Sequence, residues 1–215
     1  MLNAFYILKP NTLIMKQLLT AVAILVLTVG AARAQGGFGI LAGLNVAHIS
    51  SNDDDINEDK QAMPSWRLGL VTQVPMGKGW AFQPQVLLQG KGTGIAHQGH
   101  TDKTRFTSLD LPLAFVYQGA GGFFIGGGPN LGINLAASEK ADDGVEKLEL
   151  GGEPGQLNRF DFGVDLRAGV RLKSGLTVGV NYLKGLSNIS NTSGLTWNNN
   201  LLGLSVGYFF GGKAK

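Results

Sequence analysis

Charged side chains recur between positions 160 and 172, where they alternate with apolar residues. Positions two apart lie on one face of a β-strand, so these acidic and basic groups would share a face. Charges on a buried face persist only when they are paired. Two further alternating segments each add one charge, and the six charges balance three against three. The sequence predicts a structural network of salt bridges, or alternatively a narrow path for ions, formed by Arg67, Asp110, Asp161, Asp165, Arg167 and Arg171.

An acidic segment from Asp53 to Asp59 carries oxygen ligands at alternate positions, as a calcium-binding loop does. However, Glu58 stands where such a loop requires glycine, and Pro64 stands where it requires a bidentate glutamate. We expect a solvated loop instead, with at most loose divalent bridging to lipid phosphates.

His97 and His100 lie in a second polar segment with Asp102 nearby, a set that could hold a metal ion or serve a hydrolase. No spacing singles out a nucleophile with its base, and the absence of cysteine excludes thiol chemistry and zinc ribbons. We expect no catalytic residues, no cofactor or metal site, and no enzymatic activity.

Eight segments after Gln35 alternate apolar and polar residues over about ten positions each, which predicts β-strands. One face is aliphatic, and the other is rich in Gly, Gln and Asn and nearly lacks Lys. Small and amide side chains suit the interior of an eight-stranded barrel, whereas aliphatic ones suit a lipid-facing exterior. A closed barrel also pairs every backbone group, as hydrocarbon requires. The sequence predicts an all-β fold, an eight-stranded antiparallel up-and-down transmembrane β-barrel.

The connections between these strands alternate between short and long. The short connections are 77–79, 119–122 and 173–175, and the long ones are 50–65, 91–104, 136–158 and 187–198. Outer-membrane barrels have short periplasmic turns and long extracellular loops, which predicts the orientation. Pro84, Pro112 and Pro129 fall within strands, where we expect local bulges.

Aromatic residues on the aliphatic face sort by their position along the strands. Most fall at the predicted periplasmic end, and Trp66, Phe160 and Tyr182 fall at the other end. Two aromatic belts of this kind mark the membrane interfaces of a barrel. The predicted girdle residues are Phe38, Trp66, Trp80, Phe82, Tyr117, Phe123, Phe160, Tyr182, Tyr208 and Phe210.

Residues 1–34 have the features of a cleaved secretory signal peptide. Met15-Lys16 precedes an apolar run, and Ala32-Arg33-Ala34 follows it, which predicts cleavage after Ala34 and a barrel domain over residues 35–215. The whole chain has 18 basic and 15 acidic residues, and the leader holds three of the basic ones and no acid. The mature chain is therefore neutral, which argues against nucleic acid as a partner.

Several strand motifs resemble those of the PorT-like outer-membrane β-barrel proteins of Bacteroidetes, relatives of the OmpA- and OmpX-like eight-stranded barrels. The resemblance spans residues 36–211. It rests on Gln83-Pro84-Gln85-Val86, Leu109-Asp110-Leu111-Pro112-Leu113, Gly128-Pro129-Asn130-Leu131-Gly132, Asn181-Tyr182-Leu183-Lys184-Gly185 and the closing Gly207-Tyr208-Phe209-Phe210. It implies the fold and the outer-membrane location, but no particular activity.

We therefore expect a non-enzymatic integral outer-membrane barrel that contributes to envelope structure or to interactions made by its extracellular loops. The alternatives are a narrow channel for ions or small solutes, an accessory to protein secretion or surface adhesion, and a lipid enzyme carried by the loops. The expected partners are outer-membrane lipids and lipopolysaccharide, with protein partners reached through the loops.

Overall fold

The computed structural model describes residues 37–97, 100–141 and 144–210. The predicted signal peptide, residues 1–34, lies outside the described residues, so its cleavage stays a prediction. The side chains of residues 55–57, His97 and His100 are likewise not described.

Eight long strands dominate the described part of the chain, joined by two short strands and two short helical segments. The long strands are β1 (Gly37–Ser51), β3 (Met63–Gly77), β4 (Trp80–His97), β5 (His100–Gln118), β6 (Phe123–Ala141), β8 (Phe160–Arg171), β9 (Leu176–Gly185) and β10 (Trp197–Phe210). The short elements are the helix α1 (Asp54–Asp59), β2 (Lys60–Gln61), a 3₁₀ turn (Ala120–Gly122) and β7 (Gly144–Leu148). None of the helices in the described residues has the length and apolar character to cross a membrane.

The eight long strands form a closed antiparallel ring in the order β1, β3, β4, β5, β6, β8, β9 and β10. Closure occurs between the first and last strands, whose register runs from Phe38 opposite Phe210 to Ser51 opposite Trp197. Because each long strand has a neighbour on both sides, the ring leaves none of them as a free edge. The predicted fold, an eight-stranded antiparallel barrel, is confirmed.

Side chains alternate between the two faces of the ring. Along β10, Leu202, Leu204 and Val206 are exposed on the outside, whereas Leu201 and Gly203 face the interior and are buried. Leu44 on β1 is 72% exposed, while its neighbour Asn45 is 2% exposed. The aliphatic face is therefore the outer face of the barrel, and the amide-rich face lines the lumen.

The three short turns lie where the sequence predicts them. The first has three consecutive residues in the left-handed backbone region. Gly77, Lys78 and Gly79 all have positive φ, at 87°, 51° and 84°. Gly77 and Gly79 tolerate the left-handed conformation at little cost, and Lys78 between them is the one non-glycine residue of this turn that adopts it. The turn therefore reverses the chain directly from β3 into β4.

The long connections contain more regular structure than the sequence suggests. β4 and β5 continue to His97 and His100, so most of the predicted loop 91–104 is a strand hairpin. β6 continues to Ala141 and pairs there with β7, which occupies part of the predicted loop 136–158. The acidic segment forms the short helix α1 within the predicted loop 50–65. The predicted bounds of the loops 91–104 and 136–158 are wrong because hydrogen bonding between strands extends past the lipid-facing pattern.

The three prolines at which bulges are expected, Pro84, Pro112 and Pro129, do not shift the register of strand pairing. The same β4–β5 register holds from Pro84 opposite Leu113 to Leu87 opposite Asp110. The β5–β6 register likewise is unchanged between Pro112 and Phe115. The expected bulges at these prolines are wrong, and the shifts lie elsewhere, next to Pro75 and between Thr107 and Ser108.

Candidate functional site

The structure places all six predicted network residues inside the ring, where each is less than a tenth exposed. It adds a seventh charge, Lys91, which lies on β4 and is 2% exposed. The sequence prediction had assigned Lys91 to a loop. The lumen network is therefore Arg67, Lys91, Asp110, Asp161, Asp165, Arg167 and Arg171, with four basic and three acidic residues.

Lys91 is the centre of the network toward the long-loop end. Its Nζ donates to Asp110 Oδ1 at 2.7 Å and to Asp161 Oδ2 at 2.8 Å. Asp110 also accepts hydrogen bonds from Gln89 Nε2 at 3.0 Å and Asn130 Nδ2 at 2.8 Å. The two carboxylates and the ammonium group are therefore paired with one another and with amide donors, as buried charges require.

Asp161 has polar partners from the last loop and the last strand. Ser187 Oγ donates to its Oδ1 at 3.1 Å, and Asn199 Nδ2 donates to its Oδ2 at 3.0 Å. Through Lys91, Asp110 and Asp161, the network joins β4 and β5 on one wall to β8 and β10 on another. The lumen is therefore bridged from wall to wall by charge-assisted hydrogen bonds.

The middle and the short-turn end of the lumen contain the arginines. Arg167 forms an ion pair with Asp165 on its own strand, and its Nε donates to Asp165 Oδ1 at 2.7 Å. Arg67 donates instead to the side-chain oxygen of Asn181.

Arg171 donates from Nη2 to Gln73 Oε1 at 2.8 Å, and its guanidinium lies 3.4 Å from the ring centroid of Phe209. Arg67 and Arg171 are therefore held by amide oxygens and a ring face. The sequence predicted salt bridges for all six charges, and the amide partners are the part it missed.

Two glycines leave room for this network. A Cβ on Gly132 would lie 2.7 Å from Asp110 Oδ1 and 3.2 Å from Lys91 Nζ. A Cβ on Gly203 would collide with the side-chain oxygens of both Asn181 and Asn45. Gly132 and Gly203 are therefore positions where polar side chains from neighbouring strands need the space.

An apolar cap covers the lumen at the long-loop end. Ile49, Phe106 and Ala137 from the strands pack with Leu157 and Ile189 from two loops. Trp197, Leu148 and Leu150 pack against this cluster. Phe106 and Trp197 have inward positions in the sequence pattern, which agrees with their packing here.

Hydrogen bonds between the two cap loops fix their arrangement. The backbone N–H of Asn158 donates to Ile189 O at 2.8 Å, and the backbone N–H of Asn191 donates to Gln156 O at 3.2 Å. Ile189 in turn donates to Trp197 O at 2.8 Å. The loops 149–159 and 187–196 therefore form one folded layer over the barrel mouth.

The predicted girdle residues lie on the outer face, and several of those at the short-turn end pack against a neighbouring aromatic ring. Trp80 and Tyr117 pack edge to face with ring centroids 5.5 Å apart, and Phe38 stacks on Phe210 at 6.1 Å. Trp66, Phe160 and Tyr182 are exposed toward the long-loop end. Phe82 is half-buried and packs on Phe115 at 5.1 Å. The remaining girdle residues, Phe123, Tyr208 and Phe210, are exposed.

The loop residues with metal-binding potential are not assembled into a site within the described part of the chain. No group of three or more His, Cys, Asp or Glu side chains converges there. Asp53 precedes the short helix α1 and Asp59 is its last residue, and the side chains of His97 and His100 fall outside the description.

The sequence and the fold both have similarity to known proteins. Residues 33–191 match the family model described as outer membrane protein beta-barrel domain. The structure is similar to Neisserial surface protein A, with a TM-score of 0.54, 11% identity, and coverage of 80% of this chain and 97% of that chain. Ail, the attachment invasion locus protein of Yersinia pestis, gives a TM-score of 0.39 at 12% identity, with 81% and 99% covered. No curated protein matches the sequence.

At these identities the structural similarity establishes the fold alone, and the family match carries the assignment because it covers most of the chain. The closed ring, its aliphatic outer face and its polar lumen are the features that this family requires. The chain therefore belongs to the outer membrane protein beta-barrel domain family, and it is a protein of the outer membrane.

Proposed function

We propose that this protein is a closed, non-enzymatic barrel that serves envelope structure and presents its long loops for interactions at the cell surface. The observation that carries the proposal is the filled lumen. The lumen network bridges opposite walls, and the apolar cap covers the mouth. A barrel sealed in this way acts as an anchor, and the loops are the part left to meet partners.

Packing in the lumen argues against the alternative of a channel for ions or solutes. A cavity touched by Arg67, Gln83 and Arg167 has a volume of about 40 Å³. This is room for one or a few water molecules. Below the charged centre, Leu41, Val71, Leu87 and Phe209 form a second apolar cluster. Eight-stranded barrels of this type are filled by their own side chains.

Conductance of the refolded full chain in a planar bilayer tests this proposal. We expect no unitary current steps at voltages that leave the bilayer intact. Reproducible steps that change when Lys91 is replaced by Met would place the conducting path in the lumen and would overturn the proposal. An eight-stranded barrel without charged lumen bridges, measured in the same bilayers, gives the reference for leakage.

The absence of enzymatic activity is tested on lipids. We expect no release of fatty acid when the refolded protein is incubated with phospholipid vesicles. Turnover that disappears in His97→Ala or His100→Ala would instead assign a loop-borne lipid enzyme.

We also propose that the chain is a PorT-like barrel of the Bacteroidetes type. Three of the five motifs that carry this resemblance lie side by side, because Pro84 on β4 faces Leu113 on β5 and Pro112 on β5 faces Asn130 on β6. These three motifs thus form one continuous strip of the barrel wall. An alignment of PorT-like barrels should place Pro84, Pro112 and Pro129 in the same register, and a scattered placement would contradict the proposal.

A further inference from the structure

A basic cleft lies outside the barrel, at the long-loop end. It has a volume of about 800 Å³ and is bounded by β5, β6, β7 and the loop that precedes β8. Arg105, Lys147 and Arg159 line it, together with the single carboxylate of Glu149. Its floor is apolar and includes Leu135 and Leu148. The cleft combines an excess of positive charge with an aliphatic floor.

Strand register places two of the basic residues on one face. Arg105 on β5 is opposite Ser138 on β6, and Ser138 is opposite Lys147 on β7. Directly opposed residues point to the same side of a sheet, so Arg105 and Lys147 flank Ser138 at about 10 Å from each other, two strand spacings apart. Glu139 and Glu146 oppose each other on the other face of this hairpin. The outward face of the hairpin is therefore the basic one.

An apolar groove continues from this cleft along the same strands. It has a volume of about 320 Å³ and is lined on the outer face by Leu109, Leu111, Leu131, Ile133, Phe160 and Phe162. Leu109 lies four residues from Arg105 on β5, and Leu135 in the cleft lies two residues from Ile133 on β6. Four residues of strand span about 13 Å, so the groove reaches from the cleft into the hydrocarbon layer.

We propose that the basic cleft and the groove together bind one phosphorylated membrane lipid. The phosphate lies between Arg105 and Lys147, with Arg159 beside it, and an acyl chain lies in the groove. Guanidinium and ammonium groups form charge-assisted hydrogen bonds with phosphate oxygens. The groove selects a lipid over a soluble phosphate, because its walls are aliphatic and aromatic and face the bilayer. The site requires the outer-membrane location and does not depend on what the loops bind.

Lipid binding to the purified full chain in uncharged detergent tests this proposal. The probes are phosphatidic acid, diacylglycerol and inorganic phosphate, measured by titration under native mass spectrometry. We expect the protein to bind phosphatidic acid at least about tenfold more tightly than the other two, since each basic contact near a membrane contributes on the order of a fivefold gain.

The triple variant R105Q, K147Q and R159Q should bind phosphatidic acid about tenfold to a hundredfold more weakly. Lys184→Gln is the matched control, because Lys184 is exposed on the outer face near the long-loop end of β9, away from the cleft. It should change the affinity by less than twofold. Arg105→Gln alone should weaken phosphatidic acid binding about fivefold, so the proposal can still be tested if the triple variant does not refold.

A groove variant, Ile133→Ala with Leu109→Ala, should weaken phosphatidic acid binding several-fold. Unchanged phosphatidic acid affinity in the triple variant would overturn the proposal. So would inorganic phosphate that binds the wild type as tightly as the lipid does, because it would assign a soluble-anion site. If the protein shows no conductance in a planar bilayer and also fails to bind phosphatidic acid, the closed barrel is still supported and only the lipid site is rejected.

Discussion

Lys91 bonds carboxylates on two different strands of the barrel. Its two carboxylate partners lie on β5 and β8, and the first of them lies on the strand next to its own. Neither Lys91 nor Asp110 has an exposed side-chain surface. Removing the ammonium group would leave two buried carboxylates, Asp110 and Asp161, without their common counterion.

Lys91→Met should therefore destabilise the barrel strongly. We expect a loss of about 3–5 kcal/mol in the free energy of unfolding, the range for removing one partner of a buried ion pair. Urea unfolding of the refolded barrel in lipid vesicles measures it. Lys173→Met in an exposed short turn is the control and should stay within about 0.5 kcal/mol.

A compensated variant separates charge from packing. Adding Asp110→Asn and Asp161→Asn to Lys91→Met removes all three charges. The free energy of unfolding should therefore rise part of the way back to the wild-type value. If Lys91→Met costs no more than the turn control, the lumen network does not stabilise the barrel.

Gly132→Ala and Gly203→Ala should each destabilise the barrel by about 1–3 kcal/mol, because the added methyl group overlaps polar atoms that cannot move freely. Gly152→Ala is the matched control, since a Cβ there meets no atom within 4 Å. The same urea unfolding assay compares the three. Equal stability of all three variants would mean that these glycines are not packing positions.

At the scale of elements, the two cap loops depend on each other. Leu157 donates from its amide to Glu149 O at 2.9 Å, which closes its own loop, while Asn158 donates to the other loop at Ile189. Ile189 is fully buried between the loops and the strands. The loops are thus held by apolar contacts and by hydrogen bonds to each other, while the barrel below them has continuous strand pairing.

Ile189→Ala should loosen the cap and leave the barrel intact. We expect faster hydrogen exchange at the amides of Leu157 and Asn158, with unchanged protection at Leu166 in the middle of β8, because the cap opens as a local unit. Ser193→Ala, on the exposed tip of the same loop, should leave all of these amides unchanged. Loss of protection in β8 as well would show that cap and barrel unfold together.

Periodicity predicted the strands well, and its failures have physical reasons. The alternation from Phe160 to Arg171 gives both the strand β8 and its lumen face, because one face is uniformly aliphatic. Lys91 was missed because Gly90 and Gly92 on either side of it have no side chain to mark a face. The inward series that ends at Gln89 continues to Lys91, and this was the available signal.

Sequence periodicity could not predict the apolar cap, for a different reason. Leu157 and Ile189 are each flanked by polar residues in their loops, and they pack against residues from distant parts of the sequence. No local period encodes such contacts. The amide partners of Arg67 and Arg171 were missed in the same way, because neighbouring strands set them through register.

At the scale of the whole molecule, the sequence predicts that a signal peptide directs export of the chain. We expect the mature chain to begin at Gln35, because the Ala32-Arg33-Ala34 sequence fits the small-residue cleavage site of a signal peptide. Amino-terminal sequencing of protein isolated from outer membranes checks this. Ala34→Leu should leave the leader attached, and an unprocessed wild-type chain would contradict the assignment.

The aliphatic residues of the barrel face outward. Replacing one of them by a charged residue should therefore destabilise the barrel when lipid surrounds it. Leu204 lies in the middle of β10, is 56% exposed, and has Leu44 and Val180 as its strand neighbours. Leu204→Lys should cost about 2–4 kcal/mol in lipid vesicles, the range for a cation near the bilayer midplane. In a protein surrounded by water the same substitution would be nearly neutral.

Val145 provides the comparison, since it is 69% exposed but lies on β7, beyond the lipid-facing part of the wall. Val145→Lys should change the free energy of unfolding by about 0.5 kcal/mol or less. Urea unfolding in vesicles compares the two variants. A large loss in the free energy of unfolding at Leu204, with none at Val145, requires that acyl chains surround the middle of the barrel. Equal and small losses would instead place both residues in water, and the outward-facing aliphatic face would then have no physical explanation.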